Sequence, residues 1–254
     1  MSRIVNDDDE AIKNQSDILN ELATFYTNLY NQKTEREGGT RIAVDTFLEG
    51  IDFPKLEEEE ADSCEGLVTT EEFGQALNAM INGSAPGGDG LTVEFYKFFW
   101  PKLKIMVTNT FNEAFASEEL TYTQRQGIII LLHKGKDLPR DRLNNWRPIT
   151  LTNTDYKLLA KMMARRMGLV VNKLINEDQV GYLKGRNISN ILRNIDDVID
   201  YLNMSDSKAG YLLALDYCKA FDSVSEDFIK ETFKLFEFGE QFTQIGEDFI
   251  FKHI

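Results

Sequence analysis

The apolar run Tyr211-Leu212-Leu213-Ala214-Leu215 ends in Asp216 and continues as Tyr217-Cys218-Lys219-Ala220-Phe221-Asp222. A stretch apolar on both faces reads as a strand buried inside a sheet, with neighbours on both edges and other elements covering both faces. A carboxylate at the end of such a strand, before a short loop and a helix, is aimed into a cleft by a backbone that packing holds still. That place suits a metal ion. Taken alone, the same Asp could instead cap the loop or the helix that follows, so the rest of the chain has to decide.

With 254 residues the chain can bury an ample core as one large domain or two small ones. The longest apolar run, residues 128–132, is far too short to span a bilayer, so no membrane is expected. Asp7-Asp8-Asp9-Glu10 is acidic where a secretory signal would be basic and then apolar, and the expectation is an intracellular protein. Cys64 and Cys218 lack the spacing of a zinc site and read as free thiols. The net charge of −14 argues, taken whole, against nucleic-acid binding, but it is unevenly spread. Residues 1–80 carry 19 acidic and 6 basic side chains, whereas residues 121–193 carry 14 basic and 5 acidic. The first stretch reads as a solvated acidic extension and the second as a candidate polyanion surface, or else an ordinary solvated face.

Helical spacing of Ile18, Leu22, Phe25, Tyr26 and Leu29 predicts a helix over roughly 10–31. Thr69 with Glu72 is a capping box that opens a second helix, with Phe73, Ala76, Leu77, Met80 and Ile81 on its stripe, stopping at Gly83. The glycine-rich loop 82–90 lacks the Lys-Ser/Thr ending of a P-loop; it is a connector or a backbone cradle for phosphate. Pro101 is expected to begin the next helix. Residues 127–132 and 147–151 predict two strands around a Lys/Arg-rich loop, an antiparallel finger with cations at its tip or base. Helices are expected over 154–175, with Tyr156, Leu159, Met162, Met163, Val170 and Leu174 on or near one face, and over 188–202, strongly amphipathic, and a last one opens at Ser223 and closes near Gly239.

Four blocks in order then resemble one family. Pro86-Gly87-Gly88-Asp89-Gly90 with Glu94-Phe95-Tyr96-Lys97 comes first. The strands follow with Lys134-Gly135-Lys136 and Asn145-Trp146-Arg147-Pro148-Ile149, then Asp178-Gln179-Val180-Gly181-Tyr182 through Gly185-Arg186. The last is Leu215-Asp216 with Lys219-Ala220-Phe221-Asp222. Together they resemble the reverse transcriptases of non-LTR (LINE-type) retrotransposons, over about residues 69–239. Ser84 and Cys218 depart from the basic residue and the Glu usual there.

The resemblance implies an α+β fold: the fingers and palm of a right-hand polymerase, incomplete because no Tyr-x-Asp-Asp hairpin or thumb lies within the chain, and preceded by a helical acidic extension. Domains are expected at 1–66 (extension) and 67–254 (fingers and first part of the palm), with the remaining palm and thumb downstream. The implied partners are an RNA template, a DNA primer and deoxynucleoside triphosphates, and the implied cofactor is Mg²⁺. Two such ions about 4 Å apart activate the 3′-hydroxyl and neutralise the triphosphate in this chemistry. Asp216 is the expected catalytic metal ligand, joined on the nucleotide's metal by the Tyr217 carbonyl. Phe221 matches the aromatic gate beneath the sugar. Arg147, held by Pro148, could grip the triphosphate bidentately, with Lys134 as a second phosphate contact beside the alternative Lys136. Gln179, Tyr182, Gly185 and Arg186 are expected along the template or incoming base, Arg186 through a phosphate. The chain alone is expected to be inactive. A non-catalytic nucleic-acid-binding remnant and a group II intron maturase-like relative are the alternatives.

Overall fold

The computed structural model describes residues 3–6, 9–31, 44–135, 137–204, 210–217, 220 and 224–246. Its helices are α1 (Gln15–Asn31), α2 (Val44–Leu48), α3 (Glu58–Asp62), α4 (Thr70–Asn78), α5 (Val93–Ser117), α6 (Thr154–Leu174), α7 (Ile188–Asn203), α8 (Glu226–Leu235) and α9 (Glu240–Ile245). Strand β1 (Ile4–Val5) pairs antiparallel with β2 (Ala11–Ile12), and β3 (Gly127–His133) with β4 (Trp146–Thr152). The mixture of helix and sheet agrees with the α+β expectation.

α4 starts where its capping box predicts. The Thr69 hydroxyl accepts from the Glu72 amide at 3.2 Å, and the Glu72 carboxylate accepts from the Thr69 amide at 2.9 Å. Phe73, Ala76 and Leu77 are buried where α4 meets α5 and α6, with the Phe73 and Phe111 ring centres 5.4 Å apart. α6 buries Tyr156, Leu159, Met162, Met163, Val170 and Leu174, the stripe its spacing predicts.

α5 differs from expectation. It begins at Val93, where the Thr92 hydroxyl accepts from the Phe95 amide at 3.3 Å, and it runs through Pro101. An interior proline removes a helical hydrogen bond and costs about 3 kcal/mol. Val93 and Tyr96 before it and Val107 and Phe111 after it all reach the same core. Burying such side chains contributes about 1.5–3 kcal/mol each, so packing on both sides of Pro101 outweighs the local preference for a start there.

The main core crosses residue 66. Leu56 and Cys64 lie in it with Val68 and Phe73, and the Leu56 amide donates to the Phe236 carbonyl at 3.0 Å. Phe233 of α8, Phe242 of α9 and Phe238 of the turn between them close the same core. A second, small core joins the N-terminus to the loop between β3 and β4: Ile4 and Ile18 close over Leu143, and the Val5 amide donates to the Asp141 carbonyl at 2.7 Å. Arg142 pairs there with Asp9.

Two expectations near the C-terminal end are corrected. The cap of α8 is Ser225, whose hydroxyl accepts from the Phe228 amide at 3.2 Å, whereas Ser223 lies outside the described residues. More consequentially, residues 211–217 form no strand, and Tyr211, Leu213 and Leu215 are 100, 76 and 81% exposed. α7 is amphipathic as its sequence predicts, yet it buries none of its residues. A central strand needs neighbours for its backbone N–H and C=O groups as well as cover for its faces. Among the described residues β1 and β2 pair with each other, as do β3 and β4, and neither ladder extends to residues 211–217.

Candidate functional site

The β3–β4 hairpin sets the first group of expected site residues. Its register places Arg147 opposite Leu132 and Trp146 opposite His133, with the latter two ring centres 5.0 Å apart. The connecting loop folds back on the strands through Trp146 Nε1, which donates to the Arg140 carbonyl at 3.0 Å, and Asn145 Nδ2, which donates to Pro139 at 2.8 Å. Arg147 is exposed and has no hydrogen-bond or ion-pair partner among the described residues. Lys134 lies at the same end of the hairpin, its amide donating to the Asn145 carbonyl at 2.9 Å and its ammonium to the Asn144 carbonyl at 2.6 Å. Arg147 is thus presented to solvent by a rigid pair of strands, while Lys134 is drawn back onto the loop. Lys136 lies outside the described residues.

The glycine-rich loop is a connector packed against the start of α6. A Cβ on Gly87 would lie 2.2 Å from Asn153 Oδ1 and 2.5 Å from the Asn153 nitrogen, so only glycine permits this approach. The amide of Asp89 donates to Asn153 Oδ1 at 3.3 Å, that of Gly90 to the Gly87 carbonyl at 3.2 Å and that of Leu91 to Asp89 Oδ1 at 3.0 Å. Three successive amides that a phosphate cradle would need are engaged within the protein. Lys157 and Thr154 of α6 complete the latch by donating to the carbonyls of Ala85 at 2.7 Å and Leu91 at 2.5 Å. Burial pushes the Lys157 ammonium below its ordinary value, against the opposing pull of Asp89.

Gln179, Tyr182, Gly185 and Arg186 share the loop between α6 and α7. Gln179, Tyr182 and Gly185 are exposed. Arg186 is half-buried, and its guanidinium donates to the carbonyls of Ile175 at 2.7 Å, Gln179 at 2.8 Å, Asn172 at 3.0 Å and Asn176. It caps the C-terminus of α6, and a template phosphate would have to displace these acceptors.

Asp216 and Tyr217 stand on the exposed segment after α7. Phe221, with Lys219 and Asp222, lies outside the described residues. Among the described residues no three His, Cys, Asp or Glu side chains gather as a metal site. Asp216 alone does not make a Mg²⁺ site; the residues here fit one ligand of a larger set.

Formal charge overstates the polyanion surface over 121–193. Arg125 pairs with Glu119 at 3.1 Å, Arg142 with Asp9, Lys173 with Glu60 and Arg166 with Glu72, and Arg186 is engaged as a cap. Lys134, Arg140, Arg147, Lys161, Arg165, Lys184 and Arg193 remain as exposed cations.

Two positioning residues escape a reading by motif. Asn153 joins three segments, accepting from Asp89 and donating to the Thr123 carbonyl at 2.9 Å. Arg166 is 6% exposed and makes a forked pair with Glu72 at 2.6 and 3.0 Å. Its remaining N–H groups reach the carbonyls of Cys64, Glu65, Gly66 and Leu67 at 2.9–3.2 Å. The available signal was its position on the buried stripe of α6, where a cation requires partners. Burial pushes the Glu72 carboxyl up, but the hydrogen bonds from Arg166 and Thr69 outweigh it and hold the group below the usual glutamate range.

Residues 133–252 match the family model described as reverse transcriptase (RNA-dependent DNA polymerase). The chain is also 32% identical over 236 residues to the Transposon TX1 uncharacterized 149 kDa protein of Xenopus laevis, a span covering 93% of this chain and 17% of that protein. Among the described residues no helix is long and apolar enough to cross a membrane. The family match takes in β4 and the helices from α6 to α9, and the ordered motif blocks agree with it, so residues 133–252 carry the similarity to the reverse transcriptases.

Proposed function

We propose that this segment forms the fingers and the first part of the palm of an RNA-directed DNA polymerase of a retroelement. In this reading the β3–β4 hairpin carries the triphosphate face, the loop between α6 and α7 lies along the template, and Asp216 is one carboxylate of a divalent-metal site that further residues complete. The observation that carries it is Arg147, an exposed guanidinium without a partner among the described residues, held on paired strands by neighbours Trp146 and Pro148. A planar fork so presented matches two phosphate oxygens. Phe221 as the sugar gate remains part of the proposal, as does the Tyr217 carbonyl beside Asp216. Lys134 is a weaker phosphate candidate because its ammonium already has a carbonyl partner.

The test uses a complete polymerase carrying this segment. Arg147→Ala should raise the deoxynucleotide KM by about 10- to 100-fold, the worth of a charged hydrogen-bonding group. Asp216→Asn should abolish synthesis by several orders of magnitude while template binding persists. Phe221→Val should raise ribonucleotide use relative to deoxynucleotide. An Asp216→Asn variant that still polymerises overturns the assignment.

A further inference from the structure

The β3–β4 hairpin is fixed at one end by the body of the protein and at the other by the N-terminus. At its base Asn153, next to the last residue of β4, donates to the Thr123 carbonyl at 2.9 Å. Among the described residues its two strands pair only with each other. A lone hairpin is marginal in water, and its far end should fray. Here that end is held. Leu143 is 5% exposed because Ile4 and Ile18 close over it, with Ile12, Leu22 and Phe25 packed around them. Val5 lies alongside Arg142 as a parallel bridge, its amide donating to the Asp141 carbonyl at 2.7 Å. Arg142 enters the turn between β1 and β2, donating to the Asn6 carbonyl at 3.2 Å and to the Asp9 carboxylate. The turn is shaped for this: the Asn6 amide donates to the Glu10 carbonyl at 3.1 Å and the Glu10 amide to Asn6 Oδ1 at 2.8 Å. Asp9 takes a left-handed φ of 65°, which aspartate adopts more readily than most residues.

An ion pair whose side chains are 43 and 78% exposed holds little by itself. The apolar contact and the backbone bonds carry the hold, and Arg142 sets its register. From Arg142 the restraint passes directly into β4. The Asn145 amide donates to the Arg142 carbonyl at 3.1 Å, closing a 3-10 turn over Leu143–Asn145, and the Asn145 carbonyl accepts from the Lys134 amide at 2.9 Å. Trp146 and Arg147 follow as the first paired residues of β4.

We propose that the N-terminal hairpin is a brace for the fingers, with Arg142 as a positioning residue that fixes the start of β4 and so aims the Arg147 guanidinium at the triphosphate. The inference rests on the polymerase reading and gives the acidic N-terminal stretch a part in it.

The test is single-nucleotide extension by a complete polymerase carrying this segment, with the deoxynucleotide KM and kcat measured separately. Arg142→Ala and Leu143→Ala should each raise KM by about 3- to 30-fold, the range of a misplacement below about 1 Å, with kcat changed far less. Asp9→Asn, which suits the left-handed turn, should raise KM by up to about 5-fold. On an Arg147→Ala background none of the three should raise KM further, because they act only through that guanidinium. A phosphate contact that Asp9 covers predicts the reverse: Asp9→Asn lowers KM, Leu143→Ala leaves it unchanged, and Arg142→Ala adds to Arg147→Ala. Any of those results overturns the inference. Amide exchange on the 254-residue chain checks the hold itself. Arg142→Ala should speed exchange at Lys134 and Asn145 and leave α4 and α6 at the wild-type rate, which also shows that the variant is folded. Unaltered exchange at Lys134 and Asn145 overturns the brace. If Arg147→Ala raises KM while the brace variants do not, only this inference falls. An Arg147→Ala variant with the wild-type KM removes the triphosphate reading and the inference with it.

Discussion

The helices packed around Arg166 and the stretch from α7 to Tyr217 are alike in apolar patterning and opposite in burial. In the first, α4, α5 and α6 cover one another, and even a guanidinium is enclosed because Glu72 and four carbonyls surround it. In the second, Ile188, Leu192 and Val198 remain 56–66% exposed, and the most apolar run of the region has no strand partner among the described residues. An amphipathic pattern states that a face requires cover; it does not supply the cover. The chain spans 17% of the transposon protein that it resembles. α7 and residues 211–217 expose apolar side chains that the other described residues leave uncovered.

The largest expected effect lies in the packed region. Arg166→Met leaves Glu72 half-enclosed without its partner and strips four carbonyls of a donor, so unfolding in urea should show a loss of about 3–5 kcal/mol. Adding Glu72→Leu should restore much of it, since removing both charges costs less than orphaning one. A single variant that melts like wild type would show that the clasp is not what holds residues 64–67 to α6.

The same pair gives a pH dependence. The Glu72 carboxyl is held below its ordinary value of 4.5, so its contribution is full above that pH and is lost as pH falls through the lower, folded value. Acid titration of the melting temperature should therefore fall less steeply below that pH in Glu72→Gln than in wild type. Equal slopes would remove the linkage.

A smaller effect is expected at the latch. Gly87→Ala forces a methyl into the backbone of Asn153 and should cost about 1–3 kcal/mol, read as a shifted denaturation midpoint. Smallest of all, Leu192→Ser and Val198→Ser on α7 should change stability by no more than about 0.5 kcal/mol, and amides of α7 should exchange with solvent far sooner than those of α6. A cost of about 2 kcal/mol or more at either position would break the contrast between the two regions.

Much of this protein was legible in its residues. The Thr69–Glu72 box located the start of α4, the stripe from Tyr156 to Leu174 located α6, and the β-branched run before Lys134 with Arg147-Pro148 located the hairpin, because capping, helical periodicity and strand preference act over a few neighbouring residues. Ordered motif blocks carried the family as well. Decisions that depend on what lies across space belonged to the tertiary structure alone. It set the start of α5 ahead of Pro101, enclosed Arg166, tied Arg186 to the carbonyls at the end of α6 and left residues 211–217 outside the described ladders. A side chain's type states which partners it requires, and only the fold determines whether those partners are carbonyls, carboxylates, another strand or solvent.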